Sequence, residues 1–294
     1  MDQGDWRAER FEETRGHLRA VAYRMLGSVG EADDAVQEAW LRFDRSDTSG
    51  VANLGGWLTT VVARVCLDML RARKSRGEEP LTPAGPGTVD PQASKPDPEQ
   101  EVLLADSVGL ALLVVLETLG PAERLAFVLH DMFDLSFEEI APIVDRSPEA
   151  ARQLASRARR RVRGAGAPDA NRSRQRTVVE AFLAAARTGD FEGLLAVLDP
   201  DVVRRIDAGA VPPGAPTEMR GAQNVAKAAL AGARRGSAPV ALALINGAVG
   251  VILAPGGRLT LAMQFETRDD RIARVDVVAD PERLRKLEVA LLED

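Results

Sequence analysis

Six side chains between residues 149 and 163 have the types and spacing needed to read the edges of DNA bases. Glu149, Arg152, Gln153, Ser156, Arg160 and Arg163 fall on one side of a helical projection, and Ala151, Leu154, Ala155, Ala158 and Val162 on the other. Arg can bond two acceptors of guanine, Gln can bond adenine, and Ser suits either. Arg157, Arg159 and Arg161 flank this face, where they could hold phosphates and set register without reading sequence. A solvated basic helix has the same composition, so the element ahead of it matters. There Ser136-Phe137-Glu138-Glu139 fits a capping box, which predicts a short helix burying Ile140, Ala141 and Val144. Ser147-Pro148 then supplies a second N-cap with proline at the first helical position. Two capped helices joined by so short a turn read as a helix-turn-helix. Pro142 removes a backbone donor from the first of them and is expected to kink it rather than abolish it.

The elements that must position this face are spread over 294 residues, a length that suits two or three domains. A hydrophobic fraction of 45% and a charged fraction of 28% are those of globular protein, and a net charge of −6 excludes coating of nucleic acid by bulk charge. Distribution matters more than the sum: arginines crowd 71–76 and 157–163, and acids crowd 78–101. A single cysteine, Cys66, leaves no disulfide framework and no cysteine metal site. No apolar run approaches the roughly 20 residues of a membrane span, and the acidic start Met1–Asp5 is no secretory signal. These features point to the cytoplasm, with no membrane, metal or cofactor.

Helical spacing places Val36, Ala39, Trp40 and Phe43 on one core face, and Leu58, Val61, Val62, Val65 and Met69 on another. Six prolines among Gly, Ser and acidic residues between 77 and 98 read as an extended linker. A break at Gly164–Pro168 marks a second boundary. Beyond it, an amphipathic helix over Arg176–Arg187 closes at Gly189. Strand-like runs follow at Val240–Leu244, Ala248–Leu253, Leu259–Phe265 and Ile272–Val278, with turn signals at Asn246-Gly247 and Pro255-Gly256-Gly257. The expected architecture is multidomain: two all-α domains at 7–76 and 101–164, a linker at 77–100 and an α+β domain at 173–294.

The segment Asp33-Asp34-Ala35-Val36-Gln37-Glu38-Ala39-Trp40-Leu41-Arg42-Phe43 closely resembles the polymerase-binding helix of sigma domain 2. The helical run Gly56–Lys74 looks like the helix that reads the promoter −10 element, and Leu119–Leu129 resembles the start of sigma domain 4. In that order and spacing, residues 7–163 resemble an extracytoplasmic-function sigma factor of the sigma-70 family. The resemblance implies that Asp33, Asp34, Gln37, Glu38 and Leu41 contact the β′ clamp helices of core RNA polymerase, and that domain 4 meets the β flap. It implies −10 contacts from Asn53, Arg64, Asp68, Arg71 and Lys74, and −35 contacts from Ser147, Glu149, Arg152, Gln153, Ser156, Arg157 and Arg160. The loop Asp44–Gly55 stands where the family captures an unstacked base of the non-template strand. It is short of aromatics, so capture is expected to rest on shape and hydrogen bonds. The acidic linker reads equally as a nucleic-acid mimic in the polymerase channel or as a solvated tether.

Residues 173–294 are similar to the SnoaL-like cone, a curved sheet wrapped by helices, through Gly189-Asp190, Leu194–Val202, Ile245-Asn246-Gly247, Asp270-Arg271-Ile272 and Asp280–Leu284. The implied role is tuning of promoter activity through intramolecular contact with the sigma domains. Relatives of the cone include enzymes using His, Tyr and Asp, yet His17, His130 and Tyr23 all lie upstream. Asp207, Glu266 and Asp276 are lone carboxylates, thin grounds for acid–base chemistry, so no catalytic residue is expected. The alternative reading is a stand-alone helix-turn-helix regulator with a ligand-sensing cone, which would need no polymerase-docking stripe.

Overall fold

The chain opens with three long helices, α1 (Gln3–Leu26), α2 (Val29–Arg45) and α3 (Leu54–Arg76). Their boundaries follow from local chemistry. Gly27, at φ 75°, ends α1 in the left-handed region that favours glycine, and its N–H donates to the Tyr23 carbonyl at 2.8 Å. Ser28 then caps α2 by accepting from the Glu31 N–H. Asn53 performs the same task for α3, its Oδ1 accepting from Gly56 N–H at 3.0 Å. Phe11, Trp40, Phe43 and Trp57 bring rings from all three helices to within 5.1–6.3 Å of one another, with Phe43 fully buried.

This computed structural model describes residues 3–48, 50–76, 107–164, 170–207, 216–235 and 240–292. The expected linker at 77–100 therefore lies outside the described residues, as does most of the break expected at 164–168. Residues 3–76 and 116–161 pack as one unit; residues 107–115 and 162–292 form a second. Most of both helical regions falls within the first unit.

Next in the chain, α4 (Ser107–Thr118) leads to α5 (Pro121–Phe127), which runs into one π-helical turn at Val128–Met132. Then come α6 (Phe137–Val144) and α7 (Pro148–Arg163). Both α5 and α6 pack on α3. That explains a departure from the expected core face of α3: Val61 and Met69 are only half-buried, whereas Thr59, Ala63, Cys66 and Leu67 are buried with Leu58, Val62 and Val65. A helix packed on more than one side needs a wider apolar arc than an amphipathic stripe provides.

One buried cation joins the two helical regions. Arg124 on α5 donates from Nε and Nη2 to the Arg24 carbonyl in the last turn of α1, at 3.2 and 3.1 Å. The carbonyls at a helix C-terminus carry partial negative charge, so the guanidinium acts as a cap supplied from another helix.

The second unit holds α8 (Ala170–Thr188), α9 (Phe191–Val197) and α10 (Ala222–Arg235) packed on a seven-stranded sheet. Its strands are β1 (Leu198–Ile206), β2 (Glu218–Arg220), β3 (Val240–Ile245), β4 (Ala248–Leu253), β5 (Leu261–Arg268), β6 (Arg271–Val278) and β7 (Val289–Ala290), with the short helix α11 (Pro281–Leu284) after β6. The order is β2-β1-β6-β5-β4-β3-β7, antiparallel except for the parallel β1–β6 pair. Asn246 and Gly247 both have positive φ, as a two-residue hairpin turn requires. Val179, Phe182, Leu194, Val202, Val249, Val251, Phe265 and Ile272 fill the core between helices and sheet. This is the α+β domain expected after two all-α regions, and its mixed sheet packed under helices is consistent with a SnoaL-like domain.

Replacing Arg124 by Ala strands the Arg24 carbonyl and empties space beside α1. The expected loss is about 1–3 kcal/mol, read as a lower urea midpoint for the full chain. An unchanged midpoint would show that the bond contributes nothing net.

Candidate nucleic-acid interface

The helix-turn-helix forms as its capping signals require. Ser136 Oγ accepts from Glu139 N–H at 3.3 Å, and the Glu139 carboxylate accepts from Ser136 N–H at 2.9 Å and from its hydroxyl at 2.7 Å. Those donors hold the Glu139 carboxyl below its ordinary pKa. Pro142 stands exposed inside α6 without ending it; the helix closes three residues later at Asp145, at φ 56°. Ser147 then caps α7 by accepting from Ala150 N–H at 3.2 Å. The expected packing face of α7 is inward: Ala151, Ala155, Ala158 and Val162 are buried and Leu154 is half-buried.

Opposite them, Glu149, Arg152, Gln153, Ser156 and Arg160 are all exposed. The Arg152 guanidinium lies 5.2 Å from the centre of the Phe137 ring, which steadies the side chain. The first-turn backbone N–H and the Ser147 hydroxyl hold the Glu149 carboxyl below its usual range, so it is an acceptor at neutral pH.

The flanking arginines are engaged by acids. Arg157 and Arg161 both pair with Glu123, at 3.0 and 2.8 Å, and Arg159 pairs with Asp131 at 2.5 Å. Helical spacing alone sets these cations against phosphate and does not reveal their carboxylates, which lie 28 to 38 residues away in the chain.

On α2, Asp33, Asp34, Gln37 and Leu41 are exposed and Glu38 is half-exposed, so the expected stripe is one surface. Asp33 pairs with Arg19 at 2.7 Å and Glu38 with Arg42 at 2.9 Å. A groove of about 280 Å³ beside the stripe is lined by Phe11, Asp33, Val36, Gln37 and Trp40. On α3, Arg64, Asp68, Arg71 and Lys74 are all exposed, and Asn53 is exposed while capping the helix. The expected residues of each contact set therefore lie on the surface. Glu31, two residues before the α2 stripe, instead binds Arg73 of α3 and braces the bundle.

Nothing described in the second unit assembles a catalytic pair from its three candidate carboxylates. Asp207 accepts from Ala279 and Asp280 N–H at 2.9 Å each and pairs with Arg283, fastening the end of β1 to the start of α11. Asp276 pairs with Arg274 at 2.9 Å, and Glu266 is exposed. Among the described residues no group of His, Cys, Asp and Glu is placed to hold a metal, and no helix is long and apolar enough to cross a membrane. Burial pushes the Cys66 thiol up to about 12, which leaves it an unreactive core group.

The capped helix-turn-helix with an exposed polar face shares one helical unit with an exposed basic face on α3 and an exposed acid-amide stripe on α2, which places the chain among helix-turn-helix proteins. Comparison with known families is specific on this point. Residues 10–76 match the model of sigma-70 region 2, and residues 109–162 match sigma-70 region 4. The chain is 36% identical over 298 residues to the probable ECF RNA polymerase sigma factor SigI of Mycobacterium tuberculosis, covering 99% of both chains. It is 38% identical over 289 residues to the ECF RNA polymerase sigma factor SigJ of the same organism, covering 93% of this chain and 91% of that one. The crystal structure of SigJ matches 94% of this chain and 97% of its own at 34% identity, with a TM-score of 0.46. The chain belongs to the extracytoplasmic-function sigma factors of the sigma-70 family, and its role is in transcription initiation.

The Asp207 cluster makes a pH prediction. Burial alone would raise this carboxyl, but the Asp280 and Ala279 N–H groups and the Arg283 guanidinium outweigh it and hold the pKa below the ordinary value. Such a group adds stability that is complete above its unfolded pKa, about 3.9, and lost as pH falls through the lower folded value. Asp207→Asn is expected to cost about 1–3 kcal/mol at pH 7, with the deficit shrinking below pH ~4 in urea titrations. A deficit of equal size at pH 7 and pH 3 would remove the charge from the explanation.

Proposed function

We propose that the chain docks on core RNA polymerase through the Asp33, Asp34, Gln37, Glu38 and Leu41 stripe, the partner surface being the β′ clamp helices. In the same reading α3 meets the −10 element through Asn53, Arg64, Asp68, Arg71 and Lys74. The exposed face of α7 reads the −35 element through Ser147, Glu149, Arg152, Gln153, Ser156, Arg157 and Arg160, and the surrounding region 4 meets the β flap. Capture of an unstacked base in the α2–α3 loop then helps the polymerase melt the duplex. The C-terminal domain tunes this activity from within the chain by contact with the sigma regions. The observation that carries the reading is that one helical unit exposes an acid-amide-leucine stripe on α2 together with the α7 face. A stand-alone regulator has no use for the first of these. The relatives' alignment runs through the C-terminal domain as well, which supports its belonging to the working molecule.

Distance adds a condition. The two elements are centred about 25 base pairs apart, roughly 85 Å of B-form DNA at ~3.4 Å per pair. A unit of ~120 residues has a radius of gyration of about 14 Å and is about 35 Å across. The packing of α5 and α6 on α3 must therefore part when both elements are engaged, with polymerase surfaces covering the faces that come apart.

Two measurements test this. Asp34→Lys or Glu38→Lys should weaken binding of the full chain to bacterial core polymerase about ten-fold, or ~1.4 kcal/mol; unchanged affinity would remove the docking assignment. Arg152→Ala and Gln153→Ala should keep core affinity and lose −35 discrimination by about 1–3 kcal/mol each. Equal loss of core binding would count against α7 as the reading helix.

A further inference from the structure

Along α7, Arg157 and Arg161 share Glu123 and Arg159 takes Asp131, so acids hold all three flanking arginines. Arg152 is held differently. It forms no ion pair among the described residues, and its guanidinium rests over the Phe137 ring, 5.2 Å from the centre. The two kinds of partner have different consequences. A carboxylate occupies N–H donors and cancels charge. A ring holds the guanidinium through its flat face and leaves the outward-pointing N–H groups to a ligand.

The ring is itself built into place. Phe137 is the first residue of α6, directly after the Ser136 cap, and is only 8% exposed. The His130 imidazole lies against it, with ring centres 4.0 Å apart and planes inclined by 32°. His130 belongs to the π-helical turn at Val128–Met132, a rare backbone form that recurs at functional sites. Its Nδ1 lies 2.8 Å from the Leu135 carbonyl, which can only accept, so that nitrogen carries the proton. The Leu135 N–H in turn donates to the Leu129 carbonyl at 2.9 Å, which closes the segment leading into α6. Imidazole, phenyl ring and guanidinium thus come from the π-turn, α6 and α7 and meet in series. Reading guanine requires both bonds of a guanidinium fork lying close to the plane of the base. An arginine already held by its flat face gives up less rotamer freedom in making them than one waving in solvent.

We propose that Phe137, backed by His130, is the positioning residue for Arg152, and that this series of contacts sets how strongly one base pair of the −35 element is discriminated. The proposal rests on the α7 reading above and adds two residues outside α7 that need not touch DNA. Phe137 fixes the tilt of the guanidinium, and His130 fixes the ring.

The test uses the complete chain bound to bacterial core RNA polymerase, on a promoter fragment selected in vitro by that holoenzyme. Base pairs of the −35 element are replaced one at a time, and affinity is measured for the native chain, Arg152→Ala, Phe137→Leu, Phe137→Tyr and the Arg152→Ala/Phe137→Leu double variant. Arg152→Ala identifies its base pair as the one where discrimination falls. Phe137→Leu keeps an apolar side chain and removes the ring. It should lower discrimination roughly three- to five-fold at that same base pair, leave other positions and core affinity unchanged, and add nothing once Arg152 is gone. Phe137→Tyr, which keeps the ring, should retain native discrimination. A loss spread evenly over the element, a loss that persists without Arg152, or no loss at all would overturn the proposal while leaving α7 as the reading helix. Should Phe137→Leu fail to bind core polymerase, His130→Gln takes its place. That variant keeps a donor for the Leu135 carbonyl, removes the imidazole, and is held to the same outcomes. If Arg152→Ala itself lowers discrimination at no base pair, the α7 assignment falls and this proposal falls with it.

Discussion

A guanidinium sealed inside an apolar helical bundle is tolerable only where its charge meets fixed partners, and Arg124 satisfies that condition at the end of α1. It is 3% exposed, and burial pulls its pKa down to about 10, against the charge of Glu117, so it remains a cation at neutral pH. Its hydrogen-bond acceptor is a backbone carbonyl at the negative end of a helix, which cannot rotate away, and the Glu117 carboxylate adds its charge. Much else in the first unit leans on that bond. It fixes α5 against α1, brings α5 and α6 onto α3, and so makes the interior of α3 wide enough to bury Cys66 and Leu67. A cation–carbonyl bond is also weaker glue than the same volume of packed leucine. Such a contact suits two regions that, in the proposed reading, separate on polymerase and promoter, better than it suits a permanent core.

How much of this is legible from residues alone depends on how local each signal is. The helix-turn-helix is legible because a Ser and a Glu three apart, a Ser-Pro pair and an alanine stripe each describe one turn of backbone. The exposed stripes on α2 and α3 are legible for the same reason, since helical periodicity decides which side chains share a face. Residues partnered across the fold are not. Val61 and Met69 read as core because they continue the Leu58–Val62–Val65 stripe, and only the arrival of α5 and α6 moves the buried arc toward Cys66. Arg152 carries the signal of an exposed helical arginine, but no local rule could place the Phe137 ring of the preceding helix beneath it.

The second unit divides along the same line. Strands closed by Asn246-Gly247 are visible because positive φ at both turn residues selects those residue types. β1 is hidden: it opens Leu198-Asp199-Pro200-Asp201, which reads as a turn, and its pairing with β6 shifts register between Leu198 and Val203. A proline is admissible there because the ladder is already interrupted. Asp207 follows directly on the same strand, and the bonds of its carboxylate to Ala279, Asp280 and Arg283 explain a group that sequence alone leaves open to catalysis. Three donors on one carboxylate make it a fastening; a proton acceptor would need at least one oxygen free to change partners.

Net charge raises the last difficulty, since a chain at −6 must approach a polyanion. The basic faces resolve it locally, but not by leaving every arginine waiting. Glu123 holds both Arg157 and Arg161, so this trio carries a net single positive charge, while its exposed guanidinium edges remain within reach of phosphate. The arrangement fixes two long side chains that would otherwise lose rotamer freedom on binding DNA, an entropy cost of up to about 2 kcal/mol each. It also keeps non-specific attraction low, because that attraction scales with the phosphates neutralised. In the proposed reading, the exposed groups Arg152, Gln153, Ser156 and Arg160 are then left to provide the difference between one sequence and another. A factor that competes for a shared polymerase gains more from that difference than from raw affinity for any duplex it meets.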